Sequence, residues 1–103
     1  MIEVRQTDLF ASWLLKLRDQ EARQRIQIRI RRVSLGNFGD VKPVGEGVSE
    51  LRVDYGPGYR IYLAQRGTVV VILLVGGTKQ TQQSDIAKAK QMAKELSHAR
   101  EDD

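Results

Sequence analysis

Alternating apolar and polar positions open the chain. IEVRQ, residues 2–6, reads as a short strand, and Thr7 and Asp8 behind it are good helix N-caps. Phe10, Trp13, Leu14 and Leu17 then recur at three- and four-residue spacing, the stripe of an amphipathic helix with Trp13 in the core. Asp19 punctuates this stretch and can cap a second helix. The next segment carries two periods at once. Ala22, Ile26, Ile30 and Val33 follow helical spacing, whereas Arg25 to Arg31 alternates strictly, as a strand would. Its length and the absence of turn residues from Gln20 to Ser34 favour a helix ending near Gly36-Asn37, in which Ile28 has no place on the apolar stripe.

NFGDVKPVGEGV, residues 37–48, is dense in glycine and proline and reads as loop, with a short extended piece around Lys42 to Val44. Three strands follow: SELRVDY, GYRIYLAQ and TVVVILLVG. The third is continuously apolar, as expected of a strand covered on both faces or at a sheet centre. Gly56-Pro57-Gly58 and Gly67-Thr68 are the turns between them. Ser84 and Asp85 then open a C-terminal helix with Ile86, Ala89, Ala93 and Leu96 on one stripe, and residues 98–103 read as an acidic tail. The order β-α-α-β-β-β-α predicts a single α+β domain over residues 1–97. Its mostly antiparallel, twisted sheet would pack against a helical hairpin and a C-terminal helix.

The charge of the chain points to a class of partner. The net charge of +4 understates the basicity, because the last three positions hold three of the 13 acidic residues. The preceding 100 residues carry 17 basic against 10 acidic groups, a net +7. Such an excess favours a polyanionic partner, and it also serves plain solubility. Arg23, Arg25, Arg29, Arg31 and Arg32 suit either a solvated helix face, with pairs such as Glu21 and Arg25, or a contact surface. The chain has 103 residues, 41% of them hydrophobic, enough for one modest core. With no cysteine there is no disulfide framework and no thiolate chemistry, in keeping with the cytoplasm. The N-terminus has no apolar signal core, and the longest apolar run, Val69 to Val75, is far short of the roughly 20 residues of a spanning helix, so no membrane association is expected.

The candidate chemistry lies in ELRVDYGPGYRIYL, residues 50–63. With Gly56 to Gly58 as the turn, Tyr55 faces Tyr59, Asp54 faces Arg60, Val53 faces Ile61 and Arg52 faces Tyr62. Alternation sends Leu51, Val53, Tyr55, Tyr59, Ile61 and Leu63 to the core. It sends Glu50, Arg52, Asp54, Arg60, Tyr62 and Ala64 to an open, charged face. Two guanidiniums on rigid strands can hold a phosphate bidentately, and an aromatic neighbour can stack on a splayed base. An ordinary structural ion-pair network is the other reading of the same residues. After the last strand comes GGTKQTQQSD, where Gly76 and Gly77 permit a sharp turn and Lys79 follows, with Gln80, Gln82 and Gln83 as uncharged hydrogen-bonding groups. It has no Walker spacing, and a polar connector would look the same. The single histidine, His98, argues against a histidine triad or metal site, and no carboxylate pair has the spacing for glycoside hydrolysis.

These segments resemble a known family. Glu50-Leu51-Arg52, Gly56 to Tyr62 and Gly76 to Ile86, in this element order, are similar to the RelE/ParE superfamily of toxins from bacterial toxin–antitoxin modules. Within it they resemble the HigB-like "addiction module killer protein" branch, over roughly residues 2–97. The resemblance implies the RelE-like fold and a toxin neutralised by an antitoxin encoded beside it, commonly a helix-turn-helix DNA-binding protein. Operator DNA would be reached only through that antitoxin, and no cofactor is implied. RelE-like and HigB-like members cleave messenger RNA, usually on the ribosome, while ParE-like members poison DNA gyrase. The arginine face favours cleavage: attack of a ribose 2′-hydroxyl on the adjacent phosphate needs a proton acceptor, stabilisation of the phosphorane charge and protonation of the leaving oxygen. Carried onto this sequence, Arg52 and Arg60 hold the phosphate and Lys79 transfers a proton, once neighbouring guanidiniums lower its pKa from about 10.4. Tyr62, Gln82 and Arg32 are the candidate RNA contacts, Tyr62 by stacking. The sequence departs from the family in having no histidine near this site and no tyrosine after the last strand. Gyrase inhibition and a non-toxic role in an operon repressor complex are the other readings.

Overall fold

The computed structural model describes the backbone of residues 1–101 and the side chains of residues 1–97. In chain order the elements are β1 (Glu3–Gln6), α1 (Asp8–Lys16), α2 (Gln20–Ser34), β2 (Val41–Gly45), β3 (Val48–Val53), β4 (Tyr59–Arg66), β5 (Val70–Thr78), a 3-10 turn (Lys79–Thr81) and α3 (Gln82–Glu101). The acidic tail expected over 98–103 falls where side chains, and beyond Glu101 the backbone, lie outside the described residues. Of the expected N-caps, Thr7 rather than Asp8 caps α1 and Asp19 caps α2, while the C-terminal helix opens at Gln82, two residues before the expected Ser84. Thr7 Oγ1 accepts from the Phe10 amide at 3.0 Å while donating to the Leu74 carbonyl at 2.8 Å, and Asp19 accepts from the Ala22 amide at 3.2 Å.

The two-period segment is a helix. Ala22, Ile26 and Val33 are fully buried, whereas Ile28, which a strand would have buried beside Ile26, is half exposed on the outer face. The extended piece at Lys42 to Val44 is a complete strand, so the order is β-α-α-β-β-β-β-α rather than one with three consecutive strands. Pro43, which lacks a donor, sits on this edge strand, where a missing ladder bond is tolerated. The sheet runs β1-β5-β4-β3-β2, an antiparallel meander from β2 to β5 with β1 added in parallel alongside β5.

The hairpin register differs from that expected. The β3–β4 loop spans Asp54 to Gly58, so Val53 pairs with Tyr59, Arg52 with Arg60, Leu51 with Ile61 and Glu50 with Tyr62. The turn Tyr55-Gly56-Pro57-Gly58 closes through the Gly58 amide to the Tyr55 carbonyl at 3.1 Å, and pairing resumes two residues earlier on the β3 side. An even shift keeps every side chain on its expected face but changes its partner. Asp54 is therefore exposed in the loop and does not face Arg60.

Helices cover both faces. α1 and α2 pack Phe10, Leu14, Ala22, Ile26 and Val33 against Leu51, Val53, Tyr59, Ile61, Leu63, Val71 and Leu73. α3 packs Ala89 and Ile86 against Val48, Tyr62, Ala64, Leu74 and Val75 on the other. The charged face is thus closed by α3 over much of its area, where the alternation alone left it open. A bulge helps: Tyr62 pairs with Val75 and Leu63 with Leu73, so Leu74 is an extra residue and both Leu74 and Val75 face α3.

Gly76 and Gly77 are not a turn; they lie inside β5. Each removes a side chain that a neighbour needs to pass. A Cβ at Gly76 would penetrate the Trp13 indole, which packs on Phe10 and Tyr59 at ring-centroid distances of 5.6 and 6.2 Å. On the opposite face a Cβ at Gly77 would penetrate the Asp85 carboxylate. Gly76→Ala should therefore lower stability by about 1–3 kcal/mol in chemical denaturation through overpacking. The loss should be smaller when the same change is made in a Trp13→Ala background; equal losses in both would show that the indole is not the obstacle.

Candidate functional site

Two rows of side chains cross the sheet beneath the first turn of α3. In one, Gly77 of β5 stands beside Arg60 of β4 and Arg60 beside Arg52 of β3. In the next, Val75 stands beside Tyr62 and Tyr62 beside Glu50, with Lys42 of β2 beyond. Two like charges directly across a strand pair repel. The carboxylate that offsets them is Glu50, which is completely buried.

Glu50 collects donors from three elements. Its Oε1 accepts from Arg52 Nε at 2.9 Å, and its Oε2 accepts from Tyr62 OH at 3.0 Å and from Gln82 Nε2 at 2.8 Å. Arg60 Nε stands at 3.7 Å from the same Oε2, close enough for charge attraction but beyond a hydrogen bond. Removal from water pushes the Glu50 pKa up, but the hydrogen bonds from Arg52, Gln82 and Tyr62 outweigh it and hold the carboxyl below its usual value. Burial, followed by the bond to Glu50, drives the Tyr62 phenol well above its ordinary range. The Glu50 hydrogen bond raises Arg52.

The structure brings three of the expected cations to one end of the sheet. Arg60 Nη1 donates to the Gly58 carbonyl at 2.8 Å, and the Lys79 amide donates to the same carbonyl at 2.9 Å. A Cβ at Gly58, whose φ is +79°, would lie 2.9 Å from Arg60 Nη1 and 3.5 Å from Lys79 Cβ. Glycine is thus needed there both for its conformation and for its size. Lys79 is exposed, Arg52 is partly exposed, and Arg60 is only 9% exposed.

The other expected contacts are placed differently. Tyr62 is fully buried between the sheet and α3, so its ring has no free face for a base; its hydroxyl serves Glu50 instead. Gln82 belongs to the same cluster, but its amide is bonded to Glu50. Arg32 is on α2, across the sheet from this cluster, in a groove with Arg25, Ile28, Arg29, Val53 and Asp54. Arg29 there serves the fold, donating to the backbone carbonyls of Arg52, Phe38 and Asp40 and so tying α2 to the start of the hairpin. Glu21 and Arg25 form the expected pair at 3.1 Å, and Arg25 also covers the Tyr55 ring at 4.6 Å.

Glu50 and Asp85 are the members that a search for cations passes over. Asp85 lies over Gly77, opposite Arg60 in the sheet register, and accepts from Thr81 Oγ1 at 2.6 Å. The period of two does put Glu50 on the face of Arg52 and Arg60, and that was the available signal. Among the described residues no three His, Cys, Asp or Glu side chains are grouped so as to hold a metal ion, and no helix is long and apolar enough to cross a membrane.

The chain matches no protein-family model. It is 50% identical over 95 residues to an uncharacterized protein of Haemophilus influenzae, an alignment covering 92% of this chain and 96% of that protein. The two proteins belong to one family. The described residues of this chain form an α+β architecture of three α-helices on a five-stranded mixed sheet.

Two consequences of the cluster are measurable. Tyr62→Phe removes a donor from a buried carboxylate and should lower stability at neutral pH by about 1–2 kcal/mol in urea denaturation. All three tyrosines have raised pKa values, Tyr55 chiefly through Asp19, and Tyr59 and Tyr62 chiefly through burial. A phenol raised in the folded state contributes stability that is complete below about pH 10 and is lost as pH rises beyond it. The tyrosinate absorbance at 295 nm should thus rise above that pH and together with loss of helical circular dichroism. A normal titration of all three tyrosines in the folded protein would contradict the buried placement of Tyr62.

Proposed function

We propose that the chain is the toxin of a type II toxin–antitoxin module, of the RelE/ParE superfamily and RelE-like fold, that cleaves messenger RNA in the cytoplasm. The observation that carries this reading is the convergence of Arg52, Arg60 and Lys79 at one sheet end, from three separate stretches of sequence. The reading also draws on the sequence resemblance and on the basic excess of the chain.

Each group has a role in transesterification. Among the described residues the guanidinium of Arg52 bonds Glu50 through Nε alone, so its Nη atoms are available to non-bridging phosphate oxygens. Arg60, pinned by Gly58, presents its charge from the neighbouring strand, and the pair stabilises the phosphorane without reorganising. Lys79, exposed at the rim, is the group placed to donate a proton to the leaving 5′-oxygen, while the 2′-hydroxyl proton passes to solvent water, from which Lys79 is reprotonated. Glu50 is a poor base here, because it is sealed from solvent and both oxygens already accept hydrogen bonds. Single-stranded RNA, presented by the ribosome, is the substrate that can reach such a rim. A cognate antitoxin, a helix-turn-helix protein, would neutralise the toxin and carry operator binding.

Induced expression without the neighbouring gene should halt growth and produce transcript cuts mapped by 5′-end sequencing. Arg52→Ala and Arg60→Ala should each reduce cleavage by about 100-fold or more, the scale of losing one charge-stabilising donor, and Lys79→Ala should lower the rate with less effect on binding. Growth arrest by Arg60→Ala with intact transcripts would end the nuclease reading. Stalled gyrase cleavage complexes would replace it with gyrase inhibition, and unaffected growth would leave a partner in a repressor complex.

A further inference from the structure

We infer that Glu50 is a fixed counter-anion of the arginine pair, one that holds down the resting affinity of the site for phosphate and that a bound phosphodiester shares rather than displaces. The inference takes its ligand class from the proposed function and adds a positioning residue to it.

Four donors surround the Glu50 carboxylate, and three of them bond to it. Arg52 Nε, Tyr62 OH and Gln82 Nε2 occupy the two Glu50 oxygens, leaving Arg60 Nε at 3.7 Å. That nitrogen is buried and, among the described residues, without a hydrogen-bond partner. Buried N–H groups are nearly always paired, so Arg60 is only partly satisfied by Glu50 and keeps positive charge for an anion at its exposed edge. Arg60 Nη1 is already committed to Gly58, and the open edge of Arg60 faces the same side of the sheet as the partly exposed Arg52.

Glu50 cannot swing away to make room. Its grip comes from β3, β4 and α3 at once, and its side chain has no exposed surface. An incoming phosphate therefore gains two guanidiniums while meeting a stationary negative charge within a few ångströms. Glu50 is itself shielded from water, so the repulsion is screened only from the phosphate's side. Without the carboxylate, however, two guanidiniums would face each other on adjacent strands, so the folded protein retains it.

The test uses the full chain and a single-stranded 2′-O-methyl RNA, which binds but lacks the attacking hydroxyl, followed by fluorescence anisotropy. Glu50→Gln should bind it about tenfold more tightly than the unmodified protein, a unit-charge effect at partial screening. The gain should vanish in Glu50→Gln combined with Arg60→Ala. Unchanged or weaker binding by folded Glu50→Gln, while Arg60→Ala weakens binding in the unmodified protein, overturns the inference and leaves the phosphate-site reading standing. Insensitivity of the unmodified protein to both Arg52→Ala and Arg60→Ala overturns that reading itself, and the inference with it. Should Glu50→Gln not fold, NMR of the unmodified protein decides. On saturation with the same RNA the Arg60 Nε resonance should move while the Arg52 Nε to Glu50 hydrogen bond persists; loss of that bond would show displacement and refute sharing.

Discussion

Burial of one carboxylate organises the half of the molecule that lies under α3. Glu50 belongs to a residue type that is almost never fully buried unless paired, and here the pairing draws on two strands and a helix. Arg52 holds it within β3, Tyr62 holds it across the ladder to β4, and Gln82 reaches down from the first turn of α3. Breaking any one leaves the others bonded to a charge that water cannot reach. This is why the start of α3 is fixed over the sheet end, and with it Lys79 and the 3-10 turn that precede the helix.

The same burial reconciles two readings of the arginines that look exclusive in the sequence. A structural ion-pair network and a phosphate-binding face call for the same residue types, and the structure contains the network: Arg52 on Glu50, with Arg60 beside it. Among the described residues the network nevertheless leaves capacity unused, in the Nη atoms of Arg52 and in Arg60 Nε, which makes no hydrogen bond. Rigid guanidiniums with spare donors are better suited to anions than mobile ones, since little side-chain entropy remains to be lost on binding.

Elements dictated by local physics were legible from the sequence. Thr7 and Asp19 marked both helix starts, and the apolar stripe outweighed the misleading alternation in α2 because no turn residue interrupts it. Strand faces were legible for the same reason, since a period of two survives an even register error. What stayed hidden depends on distance. The five-residue β3–β4 loop changed every cross-strand partner, turning an expected Asp54–Arg60 pair into an Arg52–Arg60 pair. Tyr62 looked like a stacking platform because a tyrosine on a charged face is indistinguishable, in sequence, from one whose hydroxyl is needed by a buried glutamate. Arg32 shares its chemistry with Arg52 but not its side of the sheet, and only tertiary packing tells them apart.

Gly76 and Gly77 show how the two sides of the sheet become one mechanical unit. In a strand, consecutive residues point to opposite faces, so a glycine pair opens both faces at the same level. On one side the opening admits Trp13, anchoring α1 over β5; on the other it admits Asp85, drawing α3 down beside Arg60. A helix reaching a sheet through a missing side chain gains close backbone contact that no rotamer change can imitate. The indole that completes the core and the carboxylate that borders the arginines are therefore set by the same two-residue step in β5. Packing on the α1 face positions the charges on the α3 face, although no side chain passes through the sheet.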